Sequence, residues 1–323
     1  MPTSSVFHPC GANAPNLIPG TETPLMRTAA TYRLGVPTAP DHDAWRSYDS
    51  VVDAYARVRA DRNAALARDL VAQVAPPFTG TVLDVGAGTG VAADVALTAT
   101  GSEGVVVAID PSTAMLRAER QPSVLRAASA APGLPFADAT FDRVVANLVI
   151  AHVPEYEPVL ADMARVLLPN GRLGVTVWGS LGEGPPVDDT QDRAAHQAWN
   201  TAAAEFASID DLDAVAAAGT PWDDFFDDPA NLRLALEGAG LRHVEVGGRA
   251  YRYRLSLDDW LTGQDTTYRS RFLRQRLGDD RWTEFRERAR ALLAAAVPDP
   301  VDCVDEALFA VATKPAGRRR DRP

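Results

Sequence analysis

The chain has 323 residues, 46% of them hydrophobic and 23% charged, enough for one large α/β domain with insertions or for two small domains. No run of eighteen apolar residues offers a membrane span, and the first ten residues lack the basic and apolar regions of a signal peptide. A net charge of −11 leaves no basic face for nucleic acid, and two cysteines, Cys10 and Cys303, give neither a disulfide framework nor a metal spacing, so a reducing cytoplasm is expected.

Residues 1–40 are rich in proline, threonine and glycine without periodicity and read as an N-terminal arm, with Met26 as a candidate start. From residue 41 the pattern turns helical. Val51, Val52, Tyr55 and Val58 share one face, and Leu66, Leu70 and Val74 share another after a break at Asp61, which caps a second helix ended by Pro76 and Pro77. Residues 41–75 thus form a helical cap.

Thr81 to Val85 is a short β-branched strand that runs into Asp84-Val85-Gly86-Ala87-Gly88-Thr89-Gly90 and then a helix to Thr100. Glycines permit a tight strand-to-helix turn and let backbone amides approach a ligand closely. A dinucleotide fingerprint spaces its glycines G-x-G-x-x-G, whereas here Gly90 comes one position early and Val91 holds the expected site. Asp84 at the mouth of the turn would repel a pyrophosphate and favour a cationic ligand. S-adenosylmethionine carries a sulfonium and an ammonium and no phosphate. Val105 to Ile109 is the continuous apolar run of a strand covered on both faces, and it ends in Asp110, about twenty residues past the last glycine, where a carboxylate accepts from a ribose diol.

Asp-Val-Gly-Ala-Gly-Thr-Gly resembles the first motif of class I S-adenosylmethionine-dependent methyltransferases. Asp110-Pro111-Ser112-Thr113-Ala114-Met115 is similar to that family's next segment, with Ser112 as a helix cap and Met115 against the adenine. Leu134-Pro135-Phe136 leading into a fourth strand, Phe141 to Ala146, and Pro169-Asn170-Gly171-Arg172-Leu173 opening a fifth strand to Trp178 complete the resemblance over roughly residues 45 to 180. The resemblance implies a Rossmann-like, seven-stranded, mostly parallel α/β sheet flanked by helices, with an N-terminal helical cap and a helical lid insertion. It implies S-adenosylmethionine as cofactor, held by Tyr55, Asp84, Gly86, Ala87, Gly88, Gly90, Asp110, Pro111, Met115, Asn147 and Leu148. Tyr48-Asp49, Tyr55 and Arg59 match the family's entry pattern. The family's adenine-binding acid after the third strand, Val124 to Ala127, is missing: Ala128-Ser129-Ala130-Ala131 stands there, and Ser129 and Ala130 are the expected substitutes.

Pro154 opens a helix running to about Leu168. Beyond Gly179 the reading is coarser. The proline- and glycine-bearing loop 180–186, the alanine-rich helices of 188–218 and the acidic cluster Asp223 to Asp228 belong to a lid insertion, residues 180–235, that lies over the substrate. A helix Asn231 to Gly238 follows the acidic cluster, and residues 236–314 supply the C-terminal sheet and helices: alternating residues from Leu241 to Leu255 with a hairpin through Gly247-Gly248, helical residues 258–297, and a last strand Glu306 to Thr313. Residues 41–314 are one domain, and 315–323, with Arg318-Arg319-Arg320, a solvated tail. Lys314 is the single lysine.

Methyl transfer needs alignment and exclusion of water, and a base only where the nucleophile is protonated. His152, just past the fourth strand, and His196, in the lid, are the candidate bases; Trp178, Trp199 and Trp222 are candidate pocket walls, with core packing as the alternative for each. The function expected is methylation of a small molecule of biosynthetic or secondary metabolism. The alternatives are an S-adenosylmethionine binder that transfers no methyl and a nicotinamide-dependent oxidoreductase. Expected partners are a small-molecule substrate and a second copy of the chain in a homodimer, with no nucleic acid and no membrane; no metal site is expected.

Overall fold

Strand β1 (Thr81–Val85) lies third in a seven-stranded sheet of order β3-β2-β1-β4-β5-β7-β6. Its parallel neighbours are β2 (Val105–Asp110) and β4 (Phe141–Asn147); β3 (Leu125–Ala128) and β5 (Leu167–Trp178) extend the parallel set on either side. β7 (Val301–Thr313) runs antiparallel between β5 and β6 (Arg242–Leu255). The computed structural model describes residues 44–75, 77, 79–118, 121–181 and 188–316. The expected arm with Met26 and Cys10, most of the 180–186 loop and the arginines of the tail lie outside these residues. Among the described residues no helix is long and apolar enough to cross a membrane, and none of the His, Cys, Asp and Glu groups forms a metal cluster.

Strand alternation sorts the core into two faces. Leu83 and Val85 pack with Ile109, Val144 and Ala146 under helix α5 (Tyr156–Val166) and α9 (Pro229–Gly238). Val82 packs with Val106, Ala108 and Val145 against α2 (Ala60–Val74) and α3 (Val91–Thr100). α2 lies so close to β5 that a Cβ on Gly174 would stand 2.4 Å from a Val74 methyl and 2.8 Å from Leu70. A 3₁₀ turn (Ala44–Ser50), α1 (Val52–Ala54) and a π-helical stretch (Tyr55–Arg59) lead into α2 with only a bend at Val51. The break expected at Asp61 is therefore absent: Asp61 lies inside α2, whose first turn continues from Arg59, and no cap is needed. A short helix, α4 (Thr113–Ala118), follows β2.

Two insertions make a third core. Helices α6 (Thr190–Ala204) and α7 (Ile209–Gly219) come between β5 and β6, and α10 (Leu257–Asp265) and α11 (Tyr268–Ala296, kinked at Gly278) come between β6 and β7. Trp199, Trp260, Leu273, Trp282 and Phe285 bury one another where they meet. The expected lid thus has a second half from beyond residue 235, while α9 leaves it and packs on the main core through Leu232 and Leu236. α8 (Asp223–Phe226) closes the first insertion.

Two strand expectations change. β6 is one 14-residue strand with no hairpin at Gly247-Gly248. Gly248 answers crowding, because a Cβ there would meet Leu181 at 2.4 Å and Leu308 at 3.0 Å. β7 begins at Val301, opposite Leu255, rather than at Glu306. His243 sits at a bulge in β6 with φ +53°.

Candidate cofactor and acceptor site

The strand order reverses between β1 and β4, and open parallel sheets bind ligands in the crevice at such a point. The glycine turn fills one lip of that crevice. Gly86 has φ +66° and its missing Cβ would fall 2.6 Å from a Val149 methyl; Gly88 has φ +56° with open space where a Cβ would be. Gly90, φ +85°, is the N-cap of α3. The Ala87 N–H donates to the Ile109 carbonyl at 2.9 Å, which ties the turn to β2.

Asp110, the last residue of β2, has both carboxylate oxygens engaged from below. Gly88 N–H donates to Oδ2 and Ser112 N–H to Oδ1, each at 2.8 Å. A carboxylate has about four lone-pair positions, so roughly two remain for a ligand. Burial raises the Asp110 carboxyl above its ordinary range, against the pull of the two N–H donors. Ser112 caps α4 by accepting the Met115 N–H at 3.0 Å, and its hydroxyl donates to Asp49 of the 3₁₀ turn, which anchors the N-terminal cap beside the carboxylate.

These groups border a cavity of about 460 Å³. Gly86, Gly88, Asp110 and Pro111 line one end with Met115, Ser129 and Ala130; Asn147, Leu148 and His152 line the β4 side, and Tyr55 closes it from the cap. Leu148 holds φ +62°, fixed by its N–H on the Thr176 hydroxyl at 2.9 Å. That hydroxyl in turn donates to Asn147 Oδ1 at 2.8 Å. Only Asp110 and Asp223 are acidic along the described wall, so the Ser129–Ala130 end carries no carboxylate.

Four expected site residues do not line the cavity. Asp84 is fully buried: alternation in β1 turns it with Val82 toward the α2 and α3 face, beneath the turn rather than at its mouth. Ala87 and Gly90 shape the turn from behind, through the hydrogen bond to Ile109 and the cap of α3. His196 borders a separate, smaller cavity, because α6 packs on α11 away from β4. Of the tryptophans, Trp178 lines the main cavity, Trp199 is core, and Trp222 uses its Nε1–H to hold the Val153 carbonyl at 2.9 Å.

Residues outside the expected set complete the wall. Asn63 is 5% exposed; its Nδ2 donates to the Tyr55 hydroxyl at 3.0 Å, and its Oδ1 is buried with no hydrogen-bond partner. Tyr55, Arg59 and Asn63 are four residues apart along a helical stretch, a spacing that puts them on one face. The rest of the wall is closed by Thr220 and Asp223 from the first insertion and by Tyr268 and Arg269 from the second. Their elements meet only in the folded chain, and no local pattern marks them.

His152 sits among these residues. Its imidazole lies by the Gly219 backbone, and Nδ1 is buried without a partner. Tyr48 and Tyr268 flank the ring at centroid distances of 6.4 and 5.9 Å, and the Arg271 guanidinium lies over both tyrosines, 4.0 and 4.2 Å from their centroids. Burial, followed by the Arg271 charge, pushes the His152 imidazole down to about 4. Gly219 has to be glycine for this packing, since a Cβ would reach 2.6 Å from the Tyr268 ring.

Residues 83–175 match the family model described as a methyltransferase domain. The chain is 45% identical over 94 residues to the demethylmenaquinone methyltransferase of Mycobacterium sp. (strain KMS), covering 29% of this chain and 40% of that protein. It is 40% identical over 106 residues to the demethylmenaquinone methyltransferase of Renibacterium salmoninarum, covering 32% and 44%. The matched segment therefore spans about two fifths of these relatives' length. Among solved structures, phosphoethanolamine N-methyltransferase 2 of Haemonchus contortus, in complex with S-adenosyl-L-methionine, superposes with a TM-score of 0.50 at 19% identity, over 87% of this chain and 61% of that one. At that identity the likeness is one of fold.

Proposed function

We propose that this chain, a member of the class I methyltransferase family through residues 83–175, moves a methyl group from S-adenosylmethionine to a small-molecule acceptor of biosynthetic metabolism. The observation that carries the reading is Asp110, a carboxylate tied by Gly88 and Ser112 with lone pairs left over in the cavity, which suits a ribose diol. The rest of the wall fits the same group. Met115, Ser129 and Ala130 offer an apolar slot with a hydroxyl for a purine. Asn63 Oδ1, buried and lacking a donor, suits an ammonium, and Arg59 at the cap suits a carboxylate. When bound, the sulfonium supplies a methyl carbon already activated for in-line displacement.

The chain's own residues then have two tasks. Tyr55 on the cap and Thr220 and Tyr268 on the insertions exclude water around the reacting atoms. His152, neutral across the physiological range, offers its free Nδ1 lone pair to a donor hydrogen on the acceptor and fixes its direction of attack. A base of so low a pKa aligns the acceptor more than it deprotonates it. The matched family residues end at 175, before either insertion, so Thr220, Asp223, Tyr268 and Arg269 of the cavity wall lie outside them. The relatives' named acceptors are accordingly not carried over to this protein.

Calorimetric titration with S-adenosylhomocysteine and with NAD tests the cofactor. Binding of the thioether and not of NAD is expected; the reverse would overturn the reading. A screen of acceptors with methyl-labelled cofactor then tests transfer, and tight thioether binding with nothing labelled would favour a binder that transfers no methyl.

A further inference from the structure

The second cavity, about 210 Å³, is bordered by Arg62, Asp192, His196, Tyr253, Trp260 and Asp305. Arg59 and Thr267 border both cavities, which places the two side by side. The position along the sheet is informative. Asp110, Gly86, Asn147 and Trp178 mark the carboxyl ends of β2, β1, β4 and β5 in that spatial order. β7 is antiparallel, so its first half lies at the same edge: Ala307 pairs with Trp178, and Cys303 pairs with Tyr253 of β6. The second cavity continues the line of the first by two strands, on the side away from Asp110.

Its polar groups are largely committed among themselves, and what remains is acceptor-rich. Arg62 pairs with Asp305, and its guanidinium lies between the Trp178 and Tyr253 rings at 4.6 and 5.5 Å. Arg59 donates to the Thr266 hydroxyl at 3.0 Å and the Gly263 carbonyl at 2.8 Å. Asp192, its side chain 15% exposed, accepts the Trp260 Nε1–H at 3.3 Å, and His196 Nε2 stands 3.8 Å away. Burial lowers the His196 pKa despite the Asp192 charge, which leaves the imidazole neutral near pH 7. Asp192 faces the cavity, while Arg62 and Arg59 are engaged with Asp305, Thr266 and Gly263, and the rings of His196, Trp260 and Tyr253 supply flat faces.

Resting on the methyl-transfer reading, we propose that this chamber is a second acceptor subsite, which takes a hydrogen-bond-donating group, hydroxyl or ammonium, on the part of the acceptor remote from the methylated atom. With Asp305 paired to Arg62, an anionic group is disfavoured there by Asp192. The acceptor is then an extended molecule lying along the sheet edge, its reacting end at His152 and its donor end at Asp192 and His196.

The test uses the full chain, with and without saturating S-adenosylhomocysteine, and three probes: methyl β-D-glucopyranoside, benzylamine and acetate. Imidazole resonances, assigned with His196→Gln, report occupancy. A saturable shift of His196 by the glucoside or by benzylamine, with the dissociation constant raised at least about tenfold in Asp192→Asn, supports the subsite, and the responding probe identifies a hydroxyl or an ammonium. His196→Gln, at a side chain that is 51% exposed, tests the same subsite with less risk to folding: calorimetric titration of the responding probe should give a weaker constant than wild type, and an unchanged one overturns the subsite. Indifference of His196 to both donor probes, an equal response to acetate, or an unchanged constant in Asp192→Asn overturns it. Thioether binding by the Asp192→Asn protein should match wild type. Failure of the wild-type chain to bind the thioether would instead remove the cofactor reading and leave the probe result on the unloaded protein standing.

Discussion

The sharpest consequence of the cavity wall concerns His152 and acid. Its imidazole is pushed from an ordinary 6.5 to about 4, first by burial and then by the Arg271 charge. Above pH 6.5 the ring is neutral whether the chain is folded or not, and it contributes no pH dependence. Below 6.5 the unfolded chain takes up a proton that the folded chain refuses, so stability falls as pH falls, and the loss is complete near pH 4. The gap between the two pKa values corresponds to about 3 kcal/mol at pH 4 and to about 2 kcal/mol at pH 5. Other groups titrate over the same range, so the measurement has to be a difference. Urea unfolding of wild type and His152→Gln at pH 7.5 and pH 5 isolates it: wild type should lose about 2 kcal/mol more than the variant between the two values. Parallel losses in the two proteins would refute the burial argument, and so would a His152 resonance titrating near 6.5. For catalysis the same reasoning predicts no inflection of the rate near pH 6.5 from this residue.

Asp110→Asn should weaken S-adenosylhomocysteine binding by roughly two orders of magnitude, about 3 kcal/mol, because an amide cannot replace a carboxylate that accepts Gly88 and Ser112 N–H groups and a ligand together; an unchanged calorimetric constant would remove Asp110 from the site. Gly86→Ala combines a φ of +66° with a 2.6 Å approach to Val149, so a stability loss of about 2–4 kcal/mol and weakened thioether binding are expected, and a melting temperature equal to wild type would contradict both. Lys314 donates to the Arg165 and Leu167 carbonyls at 2.9 and 2.7 Å. Lys314→Met should therefore cost about 1–3 kcal/mol in urea unfolding without altering thioether affinity.

What could be read from sequence was what depends on neighbours in the chain. The glycine turn, the strands around it and the acid ending β2 are local patterns, and they lie together as their spacing implies. Asp84 shows local reading carried one step too far. Alternation with Leu83 and Val85 already assigned it to the α2 and α3 face, yet proximity to the turn suggested the mouth. Gly247-Gly248 reads as a turn from composition, whereas Gly248 is set by Leu181 and Leu308, both distant in sequence. His196 was misplaced for the same reason, since its position depends on how α6 packs on α11. Asn63 was legible from its spacing to Tyr55 and Arg59, but beside the charged Asp61 and Arg62 it reads as part of a solvated face.

The cap and the second insertion behave as one wall. Arg57 donates to the Thr262 hydroxyl at 2.6 Å and pairs with Asp259 at 3.4 Å. Arg59 reaches Thr266 and Gly263, and Arg271 donates from the other side to the Ser47 hydroxyl at 3.0 Å. Each such bond contributes only about 1 kcal/mol, but together they join helices that enclose the cavity from both ends of the sequence. Separating the cap from α10 and α11 would break all three sets, so the enclosure is held cooperatively rather than by one contact. The residues that make it, 44–63 and 257–271, fall outside the family-matched 83–175. Asp110, the glycine turn and His152 fall inside 83–175, whereas the cap and both insertions that close the same cavity fall outside it.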